Sequence, residues 1–148
     1  MRLVDLDLTT ANDTVEITED SHIIARFKSR KSSPLKKELI FLHKTPHLKS
    51  RIDIRSVVYR RASFDLSAKL VIEKSASDTD SYLKIDTLLA EPDAKARAVP
   101  SLEIKTDNVK AGHGATIGSI NTEWLYYLQS RGISTGKGKS LIVKSFLR

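Results

Sequence analysis

The stretch that decides the fold is Ala62-Ser-Phe-Asp-Leu-Ser-Ala-Lys-Leu-Val-Ile72. Apolar side chains fall at 62, 64, 66, 68, 70 and 72, with polar residues between most of them. A period of two marks a strand with one buried face and one wet face. Shorter versions recur at Val4/Leu6/Leu8, Val15/Ile17, Leu39 to Leu42, Ile52/Ile54, Leu83/Ile85, Leu102/Ile104 and Val109/Ala111. They return every 10 to 20 residues or so, the spacing of all-β folds and β-solenoids. Polar links separate them at 28–34, 44–47, 75–81 and 91–93, each too short to be a domain linker. No helix-period stretch lies between strands, which argues against a βαβ sheet. No strict repeat or low-complexity tract is present.

The composition excludes several classes of protein. The chain has 148 residues, enough for one domain with its own core. It has no cysteine, so it can supply no disulfide, thiolate ligand or cysteine nucleophile. No apolar run approaches the roughly 20 residues of a membrane span. The start, Met1-Arg-Leu-Val-Asp-Leu-Asp-Leu, carries acids where a signal peptide would be apolar. The expectation is a cytoplasmic protein without a membrane partner.

The net charge of +7 is unevenly spread. Residues 1–25 carry one base and six acids, whereas residues 26–61 carry twelve bases against Glu38 and Asp53. Arg131 to Arg148 adds five bases and no acid. A basic half suits a polyanion or a solvated face. The segment offers only Phe27, Phe41 and Tyr59 for stacking, and no nucleic-acid module. The solvated face is therefore the preferred reading, and nucleic acid is not an expected partner.

The last third changes character. Asn121 and Thr122 can cap a helix, with Glu123 in its first turn. Trp124, Leu125 and Leu128 form a helical stripe that Tyr127 extends, and Gly132 is a C′ stop after Arg131. A second short helix follows Ser134 or Thr135, with Leu141, Ile142, Ser145 and Phe146 on one side. Gly136 and Gly138 each cost about 1 kcal/mol inside a helix, so its start is open.

Three motifs invite chemistry. Gly136-Lys-Gly-Lys-Ser140 lacks the first glycine of a phosphate loop, since position 133 is Ile, and no buried strand precedes it. His43 and His47 are spaced for a zinc helix, but Pro46 opposes a helix and no third ligand is near. Gly112-His113-Gly114 reads as a loop in which glycines allow positive φ and close approach. A histidine there could bind a metal, move a proton or serve as a turn or interface residue. No carboxylate pair, Ser/His/Asp arrangement or acidic cluster stands out, which disfavours a β-helix carbohydrate enzyme.

The run Pro100-Ser-Leu-Glu-Ile-Lys-Thr-Asp-Asn-Val-Lys-Ala-Gly-His-Gly-Ala-Thr-Ile-Gly118, with Tyr126-Tyr-Leu-Gln-Ser-Arg-Gly-Ile-Ser134, resembles the SufB/SufD family of the SUF iron–sulfur cluster assembly system. The Leu88-Leu89 pair with Ala94, Ala96 and Pro100 fits the family's leucine run. His43-Lys-Thr-Pro-His-Leu-Lys-Ser50 is a thinner match. The resemblance covers residues 40–148.

It implies an all-β fold: a right-handed parallel β-helix over 1–118 and two short helices in 119–148, forming one domain. It implies a non-enzymatic, SufD-like scaffold subunit that pairs with itself or with a SufB/SufD-type subunit. A SufC-type ABC ATPase would be the second partner. His113 falls at the family's motif histidine and would be a cluster or iron contact. Val109, Ala111 and His113 would lie at the pairing edge, and Trp124, Tyr127 and Arg131 on the ATPase side. A transient cluster would belong to the complex, with no cofactor in the isolated chain.

This sequence departs from the family pattern. Family members are several times longer. The SufB-type cysteine is missing near Lys84-Ile-Asp-Thr-Leu-Leu89, and the SufD-type cysteine near the motif histidine is replaced by Ala111. The acidic start of the last helix is replaced by Gly136-Lys-Gly-Lys139. The alternative reading is a polyanion-binding β-solenoid with no cluster role.

Overall fold

A computed structural model describes residues 1–29 and 34–148. Arg30 and Lys31 of the basic segment, and the middle of the 28–34 link, lie outside the described residues. The described chain forms β1 (Arg2–Asp7), β2 (Thr14–Ile17), β3 (Ser21–Lys28), β4 (Leu35–His43), β5 (Lys49–Val58), β6 (Ser63–Ile72), β7 (Thr79–Leu89), β8 (Lys95–Ile104), β9 (Val109–Ser119), α1 (Thr122–Ser130) and α2 (Thr135–Phe146).

Odd strands make one sheet, in the order β1-β3-β5-β7-β9, and even strands make the other, β2-β4-β6-β8. Every ladder is parallel. The chain thus alternates between two sheets, and each sheet gains one strand per coil, which is a β-solenoid. Ser21 faces Ser50, Ser50 faces Ser81 and Ser81 faces Ala111, so successive coils advance by 29, 31 and 30 residues. That variation hides the repeat from a reading at fixed period.

Side chains stack in columns between the sheets. Ile23, Ile52 and Leu83 form one column; Ala25, Ile54 and Ile85 form the next. From the other sheet come Phe64, Leu66, Ala68, Leu70 and Ile72, all at most 1 % exposed, so the period-two reading of β6 holds residue by residue. Each such Leu, Ile or Phe contributes about 1.5–3 kcal/mol by leaving water. Phe27 and Phe64 stack across the interior with centroids 5.4 Å apart. Parallel sheets are usually covered on both faces and read as unbroken apolar runs. A solenoid leaves the outer face wet, which is why alternation is visible here.

The β3 strand escapes the alternation search because Ile24, on its outer side, is also buried. Pro100 is tolerated in β8 because that strand is the edge of its sheet. Some coil corners turn through left-handed residues that are not glycine: His47, Arg61 and Asp78 have φ near +60°. Asn108 donates to the Asp78 carboxylate, and His47 Nδ1 lies 3.3 Å from it, so neighbouring corners are tied together.

The helices follow β9 and dock on the outer face of the five-stranded sheet. Val143 is buried there with Val57, Leu88 and Ala90, in a cluster separate from the solenoid core. Arg26 Nε donates to the Leu147 carbonyl at 2.6 Å, and Arg55 reaches the Phe146 carbonyl at 3.5 Å. These cations meet the negative end of α2.

Candidate functional site

The candidate site is the open C-terminal end of the solenoid with the helices beside it. In β9 the residues alternate like those of any strand. Val109, Ala111, His113, Ala115 and Ile117 fall on the inward columns, opposite Thr79, Ser81, Leu83, Ile85 and Thr87. Elsewhere these columns are buried by the next coil, but β9 is the last strand of its sheet. Its inward residues are consequently only partly covered: Val109 and Ala111 are half-buried, His113 is open to solvent, Ile117 is 43 % exposed, and Ile104 on the facing β8 is 42 % exposed. One backbone edge of β9 also has no strand partner. Such an edge is a template for pairing.

The loop expected at residues 112–114 is strand instead. Neither glycine there has positive φ; among the described glycines only Gly132 does. Their role is clearance. Gly112 and Gly114 lie on the outer side of β9, one coil above Tyr82. An added Cβ would meet the Tyr82 ring at 3.0 Å from Gly112 and its hydroxyl at 3.0 Å from Gly114. Tyr82 therefore lies flat along the glycine pair, and His113 is turned to the other side. Sequence reasoning missed Tyr82, although its 30-residue spacing from Gly112 equals one coil.

His113 stands without metal-ligating company. Among the described residues no three His, Asp or Glu side chains converge on one point. His113 can offer one imidazole nitrogen.

The other two motif histidines have unlike surroundings. His43 is fully buried in β4, in a column with Ile17 and Ile72, and its Nε2 lies 3.0 Å from Ser50 Oγ. Ser50 is in turn 2.6 Å from Ser81 Oγ. His43 Nδ1 has no partner, and burial pushes the His43 pKa down to about 4, so the ring is neutral at pH 7. His47 sits at the exposed corner against Asp78. They share no zinc-like geometry. The sequence pattern could not have found the buried trio, because Ser50 and Ser81 come together only through coil register.

Part of the basic segment is paired with acids on neighbouring coils. Arg26 pairs with Asp5, Lys44 with Glu16 at 3.1 Å, Arg51 with Asp80 at 2.9 Å, and Arg60 with Asp93 at 3.4 Å. Lys37 donates to the Ala11 carbonyl. The acidic start and the basic middle are separate in sequence and adjacent in space.

The helices end and begin as their capping residues require. Asn121 Oδ1 accepts from Glu123 N at 2.8 Å and Trp124 N at 3.3 Å. Gly132, at φ +80°, closes α1, with its N–H to Gln129 and that of Ile133 to Leu128. The Gly136-Lys-Gly-Lys139 run is the first turn of α2, not a phosphate loop. Gly138 is buried at the helix crossing, where an added Cβ would lie 3.0 Å from Leu125 Cδ1. The α1 stripe does not face a core: α1 buries no residue, and Trp124 is 63 % and Tyr127 57 % exposed. Arg131 lies over the Tyr127 ring, 5.2 Å from its centroid. Trp124, Tyr127, Leu141, Ile142, Phe146 and Leu88 line an open groove of about 650 Å³. No described helix is long and apolar enough to cross a membrane.

Comparison with known proteins gives this geometry a family. The SUF system FeS cluster assembly, SufBD core domain model matches residues 17–146. An iron-sulfur cluster assembly SufBD family protein of Mycobacterium bovis is 28% identical over 106 residues, which is 72% of this chain and 12% of the relative. One from Pyrococcus horikoshii is 36% identical over 93 residues, covering 63% of this chain and 20% of the relative. The iron-sulfur cluster assembly protein SufD of Escherichia coli is 37% identical over 75 residues, covering 51% of this chain and 18% of that protein. The chain thus matches no more than about a fifth of the length of these relatives. With two stacked parallel sheets, two terminal helices and a family match across nearly all of its length, the chain belongs to the SufBD family.

Proposed function

We propose that this chain is a non-enzymatic, SufD-like scaffold module of cytoplasmic iron–sulfur cluster assembly. The observation that carries the reading is the uncovered last coil. Val109, Ala111 and His113 lie on inward columns that no further coil closes, beside a backbone edge without a partner. A second copy, or a SufB/SufD-type subunit, would cover the apolar end and pair the edge. The same contact would bring ligands to His113. The chain has no cysteine, so the thiolates of a cluster must come from the partner. In this reading the cluster is cargo assembled at the junction, with His113 as one contact. The exposed groove with Trp124, Tyr127 and Arg131 would receive a SufC-type ABC ATPase.

The polyanion reading draws less support, because coil-to-coil ion pairs engage Arg26, Lys44, Arg51 and Arg60 of the basic segment.

Two measurements test the proposal. Sedimentation should show a dimer, or a complex with a SufB-type subunit, that Ala111→Glu abolishes. Anaerobic reconstitution of that complex with iron and sulfide should give less cluster absorbance with His113→Ala than with the unaltered chain. A strict monomer that binds neither a SufB-type subunit nor the ATPase would remove the reading's support. Equal absorbance in both proteins would remove the role of His113.

A further inference from the structure

The groove between α1 and α2 combines an apolar lining with a basic rim. On the solenoid many cations find carboxylates on adjacent coils, as Arg51 does with Asp80, Arg97 with Asp65 and Lys69 with Glu103. Three at the groove do not. Arg131, Lys137 and Lys144 have no carboxylate within ion-pair distance among the described residues. Of the basic residues in α2, only Lys139 is paired, with Glu91 at 3.5 Å.

Their placement is specific. Lys137, Leu141 and Lys144 follow one another at i, i+4 and i+7, so they share one face of α2. Leu141 is 42 % exposed and lines the groove, which puts a lysine on either side of an apolar wall. Arg131 stands over Tyr127, another wall residue. Glu123 is the lone acid in the two helices. An exposed apolar groove with unpaired cations at its rim attracts a surface of the opposite charge.

We propose that the groove takes an acidic amphipathic segment of a partner protein: an apolar ridge for Trp124, Leu141 and Phe146, flanked by carboxylates for Arg131, Lys137 and Lys144. The inference rests on the reading of this groove as a partner site and adds what selects the partner. The apolar ridge supplies contact area, and the carboxylates supply discrimination and a faster encounter. A ridge flanked by lysines would leave the rim cations facing like charge.

The test uses two synthetic helical peptides with the same Leu/Phe ridge, one flanked by glutamates and one by lysines. Binding to the full chain is followed through the emission of Trp124, the only tryptophan. The glutamate peptide should bind about tenfold tighter at low salt, with the gap shrinking as salt rises. In the Arg131→Glu/Lys137→Glu/Lys144→Glu variant, confirmed folded by circular dichroism, the preference should reverse. Equal binding of both peptides, insensitive to salt, would overturn the charge proposal while leaving the groove as a partner site. If neither peptide binds and a SufC-type ATPase fails to co-purify as well, both the proposal and the groove reading fall. A response to anionic vesicles or RNA without any preference between peptides would also overturn it, as would self-association abolished by Trp124→Ala.

Discussion

The solenoid and the helical element are built from similar residues put to opposite uses. In β6 every second side chain is an apolar group withdrawn from water, and Asp65 and Lys69 between them pair with the next coil. In α1 the aromatic groups Trp124, Tyr126 and Tyr127 are exposed, and α1 buries no residue fully. The solenoid repeats its strands, so each coil covers the one before. The helices occur once, and they meet the sheet through the small cluster around Val143. Side chains that hold the fold are therefore concentrated in the coils, and side chains available to a partner are concentrated at the last coil and the helices.

The contrast can be broken most severely inside the coils. Phe64→Ala removes a buried ring that stacks on Phe27 and should cost about 3–5 kcal/mol, read as a fall in the urea midpoint. A loss below about 1 kcal/mol would mean that the column is not packed as described.

The buried histidine gives the next effect. A free histidine titrates near 6.5, and His43 in the fold near 4. Between those values the unfolded chain binds the extra proton, so stability falls as the pH drops from about 6.5 to 4. The shift corresponds to about 3 kcal/mol. Urea unfolding at pH 7 and pH 4 should show a smaller loss for His43→Leu than for the unaltered chain, by roughly that amount. Parallel losses in the two proteins would contradict the burial of the ring.

The helix crossing sits between the extremes. Gly138→Val pushes a branched side chain into Leu125 and Leu128 and should cost about 1–3 kcal/mol through overpacking, less if Leu125 rotates away. Helical circular dichroism should weaken before the sheet signal does. Coincident loss of both signals would mean that the helices and the solenoid unfold as one unit.

The smallest expected change in stability sharpens the comparison best. Trp124→Ala removes the largest side chain in the protein, yet it is 63 % exposed. Its urea midpoint should move by no more than about 0.5 kcal/mol equivalent, while partner capture at the groove should be lost. A large destabilisation would make Trp124 a member of the fold instead of its surface.

Much of the molecule is legible in the residues themselves. Strand alternation, the Asn121 cap, the Gly132 stop and the resemblance around Gly112-His113-Gly114 are all short-range patterns. Where sequence and structure differ, the causes are physical. β3 is buried on portions of both faces, so it lacks alternation. The glycine pair reads as a loop because nothing local reveals the Tyr82 ring lying on it from the previous coil. The α1 stripe is legible as an apolar helical face, but periodicity does not show what covers it.

Local periodicity, capping chemistry and the family motif determined that this chain forms one-sided strands, ends in two helices and carries a histidine in an assembly-family signature. Only the tertiary structure decided that His113 shares its column with Leu83 at an open end, that Ser50 and Ser81 meet beneath His43, and that acids at the start neutralise bases in the middle. Most of those contacts join residues about one coil apart, and a one-residue slip of a strand would turn its inward side chains outward. The register that brings them together is set by packing the whole solenoid, which no short stretch of sequence contains.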